Sequence, residues 1–234
     1  KVPQSRTEVA KHINSFIRQG ILPHPQKMYD MLDAKYKGEV NVSTFKVWHK
    51  IFQLKQRLLD AIVLNENFEI EKGFMTTIHA FTSDQRILDN SHKDPRRART
   101  ASQSIVPTST GASKAIGEII PALKGKLEGV AMRVPTPNVS LVELVFCTKK
   151  DLSIEKINSA FQKFIGKQNK KVLEITSEKL VSIDFNHNSA SSIIDASLTK
   201  VVGKNMGKIS AWYDNEWGFS NRMCDIAEYL HKNS

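Results

Sequence analysis

Between Glu71 and Phe81 the chain reads as one long strand, and this element sets the fold of everything after it. Up to about Asp60 the apolar residues recur at helical intervals; from Phe68 onward they alternate. A polar loop is expected over 83–104, then a helix over 113–121 entered from the turn Ser109-Thr110-Gly111. Strands are predicted at 129–134 and 140–148 from alternation, and at 180–185, 191–198 and 208–213. A helix entered at Ser153 runs to Phe164, with Ile154, Ile157, Phe161 and Phe164 as its apolar stripe, and a terminal helix is expected over 220–231. The class that follows for residues 61–234 is α+β, a mostly antiparallel sheet with helices on one face.

Residues 1–60 read as a separate small helical segment. Ser5-Arg6-Thr7-Glu8 has the spacing of a capping box, and Val9, Ile13, Phe16 and Ile17 follow at helical intervals until Gly20. Pro25 suits the first turn of a second helix closed by Gly38. Phe45, Trp48, Phe52, Leu58 and Ile62 line a third, longer one. Three short helices with a basic surface faintly resemble helix-turn-helix modules. Two uses stay open for them, nucleic-acid contact and plain packing or protein contact.

Of the formal net charge of +10, the first sixty residues hold eleven Lys/Arg against five Asp/Glu, so +6 lies in the first quarter. A basic surface favours polyanions, nucleic acid first, unless it is simply a solvated face. The chain has only Cys147 and Cys224 and no CxxC spacing, which argues against a disulfide framework or a cysteine zinc site and for a reducing intracellular compartment, the cytoplasm or an organelle matrix such as the mitochondrion. No apolar run approaches the ~20 residues of a membrane span. The start, Lys1-Val2-Pro3-Gln4, lacks both the apolar core of a signal peptide and an initiator Met, a start that removal of upstream residues would leave.

Chemistry concentrates between Phe74 and Arg133. Hydroxyls, His79 and the arginines Arg86, Arg96, Arg97, Arg99 and Arg133 fall within these sixty residues. Guanidinium forks and hydroxyls suit a phosphate or carboxylate, and one histidine among them is a candidate general base. The bland reading is a polar loop over a core with a hydrogen-bonded histidine. Composition does not separate the two.

The motifs do more. Met75 to Thr82, Ser91-His92-Lys93-Asp94, Ser109 to Lys114, Arg133-Val134-Pro135-Thr136-Pro137-Asn138 and Trp212 to Gly218 occur in this order. Together they resemble the catalytic domain of phosphorylating glyceraldehyde-3-phosphate dehydrogenase, from about Val63 to Ser234. The resemblance implies that His79 stands at the base that activates the family's catalytic cysteine. It implies that Thr82, Asp84 and Arg133 face the substrate phosphate, and that Thr110 and Gly111 face inorganic phosphate. Asn215 matches the nicotinamide-facing position, and Phe219 stands where the family usually has Tyr. The loop from Ser91 to Arg99 matches one that packs across a subunit interface.

Two departures decide what is expected of the chain. Aligned back without gaps from Val63, the cysteine position falls on Phe52, which cannot attack an aldehyde. No G-x-G-x-x-G turn precedes Asp60, and sixty residues are too few for a doubly wound dinucleotide domain. The expectation is a repurposed domain acting as a structural or binding component of a larger protein or ribonucleoprotein assembly, with NAD bound only if another chain supplies its domain. Partner contacts are expected through Lys46, Lys50, Lys55 and Arg57 on the helical segment and Arg96, Arg97 and Arg99 on the loop, with homo-oligomers allowed. The alternative is a subunit of a true NAD-dependent dehydrogenase completed by another chain.

Overall fold

The computed structural model describes residues 59–109, 116, 120–166, 172–222 and 224. Residues 1–58 of the helical segment expected over 1–60, and most of the helix expected over 113–121, lie outside them.

The described chain opens with helix α1, Leu59–Phe68. Leu59, Ala61, Ile62, Val63, Leu64 and Phe68 are all buried, leaving only the side with Asn65, Glu66 and Asn67 to water. A helix so apolar is wrapped by a core rather than laid on one. It ends where Glu69 takes a left-handed φ of 58°. The Glu69 amide donates to the Asn65 carbonyl (3.0 Å), and Asn65 Oδ1 accepts from the Ile70 amide (3.2 Å), which satisfies the last turn and aims the chain into the sheet.

Among the described residues, eight strands form one sheet: β1 Ile70–Ala80, β2 Val106–Ser109, β3 Leu127–Val134, β4 Ser140–Thr148, β5 Leu173–Thr176, β6 Ser192–Asp195, β7 Lys200–Val202 and β8 Met206–Tyr213. Their order is β2-β3-β1-β4-β8-β6-β5, with β7 also on β8. Most neighbours are antiparallel, but β1 runs parallel to β3 and β5 to β6. The sheet is thus mixed, which refines the mostly antiparallel expectation. A parallel pair needs a long crossover. Residues 81–126 supply it for β1 and β3, and they carry the polar loop.

Helix α2, Ile154–Gly166, is capped as its sequence suggests, with the Lys156 amide donating to Ser153 Oγ at 3.2 Å. Ile157 and Phe161 are buried and Phe164 packs on the core as expected, with Ala160 beside them, while Ile154 is exposed. α1 and α2 pack with Met75, Leu127, Leu144, Phe146, Ile194 and Ile209 into the main core on one face of the sheet. Gly73 is required at the centre of β1, because a Cβ there would come within 2.7 Å of the Val145 carbonyl oxygen.

Residues 180–185 are not a strand. A 3-10 turn spans Ser182–Phe185, with Asp184 Oδ2 accepting from the Val181 amide at 2.8 Å. Val181 and Ile183 face solvent, while Leu180 packs against the small core cluster and Phe185 turns inward to stack on Trp212 at 5.2 Å. The strand expected over 191–198 stops at Asp195, whose Oδ1 accepts from the Ser197 amide at 3.1 Å and starts a second short turn.

Candidate functional site

His79 and Arg133 are in-register partners on the parallel strands β1 and β3, which places both side chains on the same face. Arg133 Nη1 lies 2.6 Å from His79 Nδ1 and donates to the Ala80 carbonyl at 3.0 Å. His79 Nδ1 is also 2.6 Å from that carbonyl. A guanidinium only donates and a carbonyl only accepts, so Nδ1 satisfies one of them at a time, according to which ring nitrogen carries the proton. The Tyr213 ring meets the imidazole edge-on at 6.0 Å and fixes its plane.

The other two residues on the expected substrate-phosphate side are tied inward. Thr82 gives both its amide and its hydroxyl to Gln85 Oε1, at 3.0 and 3.2 Å, and Gln85 itself is buried. Asp84 is held by an Arg97 guanidinium nitrogen and accepts from Gln85 Nε2. Arg133 thus reaches His79 while Thr82 and Asp84 brace the loop. Thr110, Gly111 and Phe52 lie outside the described residues, as do Lys46, Lys50, Lys55 and Arg57.

The basic loop is less basic in effect than in sequence. Arg97 also meets Asp94 at 3.4 Å, and Arg99 meets Asp89 at 3.3 Å. Asp89 further accepts from the Thr100 hydroxyl and amide, and these bonds, ahead of Arg99, hold its carboxyl below the usual range. Arg96 and Lys93 are exposed and enter no ion pair among the described residues.

Sequence reasoning picked out Asn215 and Phe219 but missed what holds Asn215. Val139, β-branched and buried, sits at a φ of 64°, where such a residue costs about 1–3 kcal/mol of strain. Its neighbours straddle the turn after β8. Asn138 Nδ2 donates to Asp214 Oδ2 (2.8 Å), and Ser140 Oγ donates to Asn215 Oδ1 (3.0 Å) while accepting from the Ala80 amide (3.1 Å). Asp214 is the hub. Besides Asn138 it accepts from the amides of His187 (2.8 Å), Glu216 (2.9 Å) and Trp217 (2.7 Å), which starts the helical run 217–222 carrying Phe219. The Pro137-Asn138-Val139-Ser140 turn was the only signal for this clamp.

Cys147 does not approach the histidine along the strands. Register places residue 79 opposite Ser140, and Cys147 is seven residues further along β4, opposite Lys72 and Met206, about 23 Å away at strand rise. Cys224 is exposed on the terminal helical run. Of a whole dinucleotide, only the positions expected on the nicotinamide side, Asn215 and Phe219, are among the described residues, none of which forms a glycine turn for a pyrophosphate. These residues do not fit the whole cofactor. Among them, too, no His, Cys, Asp and Glu cluster could hold a metal ion, and no helix is long and apolar enough to cross a membrane.

Compared with known proteins, residues 58–215 match the family model of the C-terminal domain of glyceraldehyde 3-phosphate dehydrogenase. Residues 1–80 match a family of unknown function. Over 171 residues, 73% of this chain, the sequence is 54% identical to a glyceraldehyde-3-phosphate dehydrogenase 2 of Synechocystis, covering 51% of that protein, and 53% identical to a chloroplastic glyceraldehyde-3-phosphate dehydrogenase of Arabidopsis thaliana, covering 43%. A Staphylococcus aureus glyceraldehyde-3-phosphate dehydrogenase 2 is 53% identical over 170 residues, 73% of this chain and 49% of that protein. The chain spans about half the length of these curated relatives. With the motifs in order and the sheet built around His79 and Arg133, the chain belongs to the glyceraldehyde-3-phosphate dehydrogenase family through its C-terminal catalytic-type domain.

Proposed function

We propose that this chain is a non-oxidising member of its family, a structural or binding component of a larger assembly. The observation that carries the reading is positional. Extended back without gaps from Val63, the resemblance puts the family's nucleophile position at Phe52, and the cysteine within the sheet, Cys147, lies at the far end of β4 from His79. Without a thiolate beside the imidazole, the aldehyde carbon meets no nucleophile, no hemithioacetal forms and no hydride can leave one. What is kept is scaffold: the clamp on Asp214 and Asn215 and the braced loop from Thr82 to Thr100.

The partner is contacted through basic side chains. On the loop these are Arg96 and Lys93, which are free to reach outward, rather than Arg97 and Arg99. On the first segment they are Lys46, Lys50, Lys55 and Arg57. Nucleic acid within a ribonucleoprotein suits this charge, in a reducing intracellular compartment. The test is anisotropy of a labelled single-stranded RNA with the full chain, from about 50 to 200 mM salt, where each phosphate contact adds roughly 0.7 to a negative log–log slope. A slope that flattens in Arg96→Ala supports the reading. Binding that ignores salt points to a protein partner, and a free monomer that ignores RNA altogether counts against assembly.

A second reading has one observation in its favour. His79, Arg133, Ser140 and Asn215 are linked around Ala80, an arrangement a dehydrogenase subunit completed by another chain would need. NAD would then bind on that other chain's domain.

A further inference from the structure

We propose that the end of the sheet farthest from His79 is a further nucleic-acid surface, on which Lys124, Lys126, Lys149, Lys150 and Lys204 take the phosphate backbone of a single strand whatever its sequence. The inference rests on the nucleic-acid reading above but not on the loop that carries Arg96.

The topology gathers these lysines. β1 starts at Ile70 and reaches His79 about 30 Å further on at strand rise. The turns around Glu69, Lys126, Lys150 and Lys204 meet at its start. The Gly73 amide donates to the Lys126 carbonyl at 2.8 Å, and Lys126 Nζ donates to the Ile70 carbonyl at 3.1 Å. The Lys149 and Lys150 amides donate to the Glu69 and Phe68 carbonyls at 3.1 and 3.3 Å, and the Leu152 amide to the Lys204 carbonyl at 2.6 Å. Backbone bonds thus hold the bases of these side chains together while most of the ammonium groups face water.

Two carboxylates, Glu69 and Asp151, lie among the five lysines, so this end carries +3 of the chain's +10. Glu69 is shared: its oxygens lie 3.0 Å from Lys150 Nζ and 3.9 Å from Lys149 Nζ. The bond and charge of Lys150, then the charges of Lys149 and Lys126, hold its carboxyl below the usual range. One anion among three cations leaves positive charge over, and exposed pairs of this kind open at little cost. Lys124 and Lys204 are exposed and enter no ion pair among the described residues.

The residue type selects the ligand. The described arginines lie elsewhere: four on the loop, Arg133 at the other end of β3 and Arg222 on the terminal helical run. Planar recognition of a carboxylate favours the guanidinium fork, whereas an ammonium is a point charge that meets a phosphate oxygen from any direction. Such contacts position a strand without reading its bases.

The test is anisotropy of labelled oligouridine with the full chain between about 50 and 200 mM salt. Lys124→Gln combined with Lys204→Gln removes two contacts and should flatten the log–log slope by about 1.4. Lys163→Gln combined with Lys179→Gln removes the same charge from exposed positions elsewhere and should leave the slope unchanged. In the wild type, oligouridine should also protect Lys124, Lys149 and Lys204 from acetylation, read by mass spectrometry; unprotected lysines overturn the proposal without any variant. A slope that Arg96→Ala flattens and the Lys124 and Lys204 pair does not overturns it too, and leaves the loop contact standing. The reverse result supports it and counts against the loop. Equal flattening by both pairs is an effect of net charge alone and overturns it, as does polyglutamate displacing the RNA at equal charge, which points to an acidic protein. No RNA binding at all overturns it together with the reading it rests on.

Discussion

Asp60 and Ser192 meet inside the domain, the serine hydroxyl 3.0 and 3.1 Å from the two carboxylate oxygens, with both residues buried. The bond ties the first turn of α1 to β6 across 132 residues of chain. Burial raises the Asp60 carboxyl from 3.8 to about 7, against the smaller pull of the Ser192 bond.

A pH dependence follows with a definite sign. The folded value lies above the unfolded one, so the protonated form is the one the fold favours. The contribution is fully present below the ordinary carboxylate value, is lost as pH rises from about 4 to about 7, and is flat above. The full span is worth on the order of 4 kcal/mol. Asp60→Asn keeps a partner for Ser192 without the charge, so it should be more stable than the wild type at about pH 8 by 2–4 kcal/mol, with the gap closing below about pH 5. Urea denaturation at both pH values measures it.

Asp214→Ala removes one acceptor from four donors, the amides of His187, Glu216 and Trp217 and the Asn138 side chain. Two of those amides start a helical run. A loss of roughly 3 kcal/mol is expected. The Trp217 ring, which packs on His187 at 5.1 Å, should report it as a change in fluorescence in the same denaturation experiment.

Arg97→Ala and Arg96→Ala should separate. Arg97 braces Asp84 and Asp94, so its loss should speed proteolytic cleavage between residues 82 and 105 while leaving global stability within about 1 kcal/mol. Arg96 braces nothing among the described residues and should leave cleavage unchanged. Limited proteolysis followed by mass spectrometry distinguishes them.

Gly73→Ala should destabilise by about 1–3 kcal/mol, since the added methyl meets the Val145 carbonyl, a backbone atom that cannot swing away. A thermal melt of the full chain is sufficient.

The long elements were legible in the sequence because their patterns are long. Eleven residues of β1 and nine of β4 carry enough alternation to declare a strand, and Ser153 announces α2. The short strands β2, β5 and β7 hold three or four residues each, too few for a period, and β2 contains Pro107. Val181, Ile183 and Phe185 imitate a strand because their spacing is two, yet the Asp184 side chain closes a turn there. The contact between Arg133 and His79 spans 54 residues and depends on a parallel register that nothing local encodes. Residue identities marked His79, Arg133 and Asn215 through family resemblance. Ser140 and Asp214 look like ordinary strand-end residues until their partners are in place.

The central claim is that these residues no longer carry the oxidation. The direct measurement is NADH formation by the full purified chain with glyceraldehyde-3-phosphate, NAD and inorganic phosphate, repeated after alkylation of Cys147 and Cys224. The account predicts no turnover above background and no difference on alkylation. Turnover that alkylation or Cys224→Ser abolishes would contradict it.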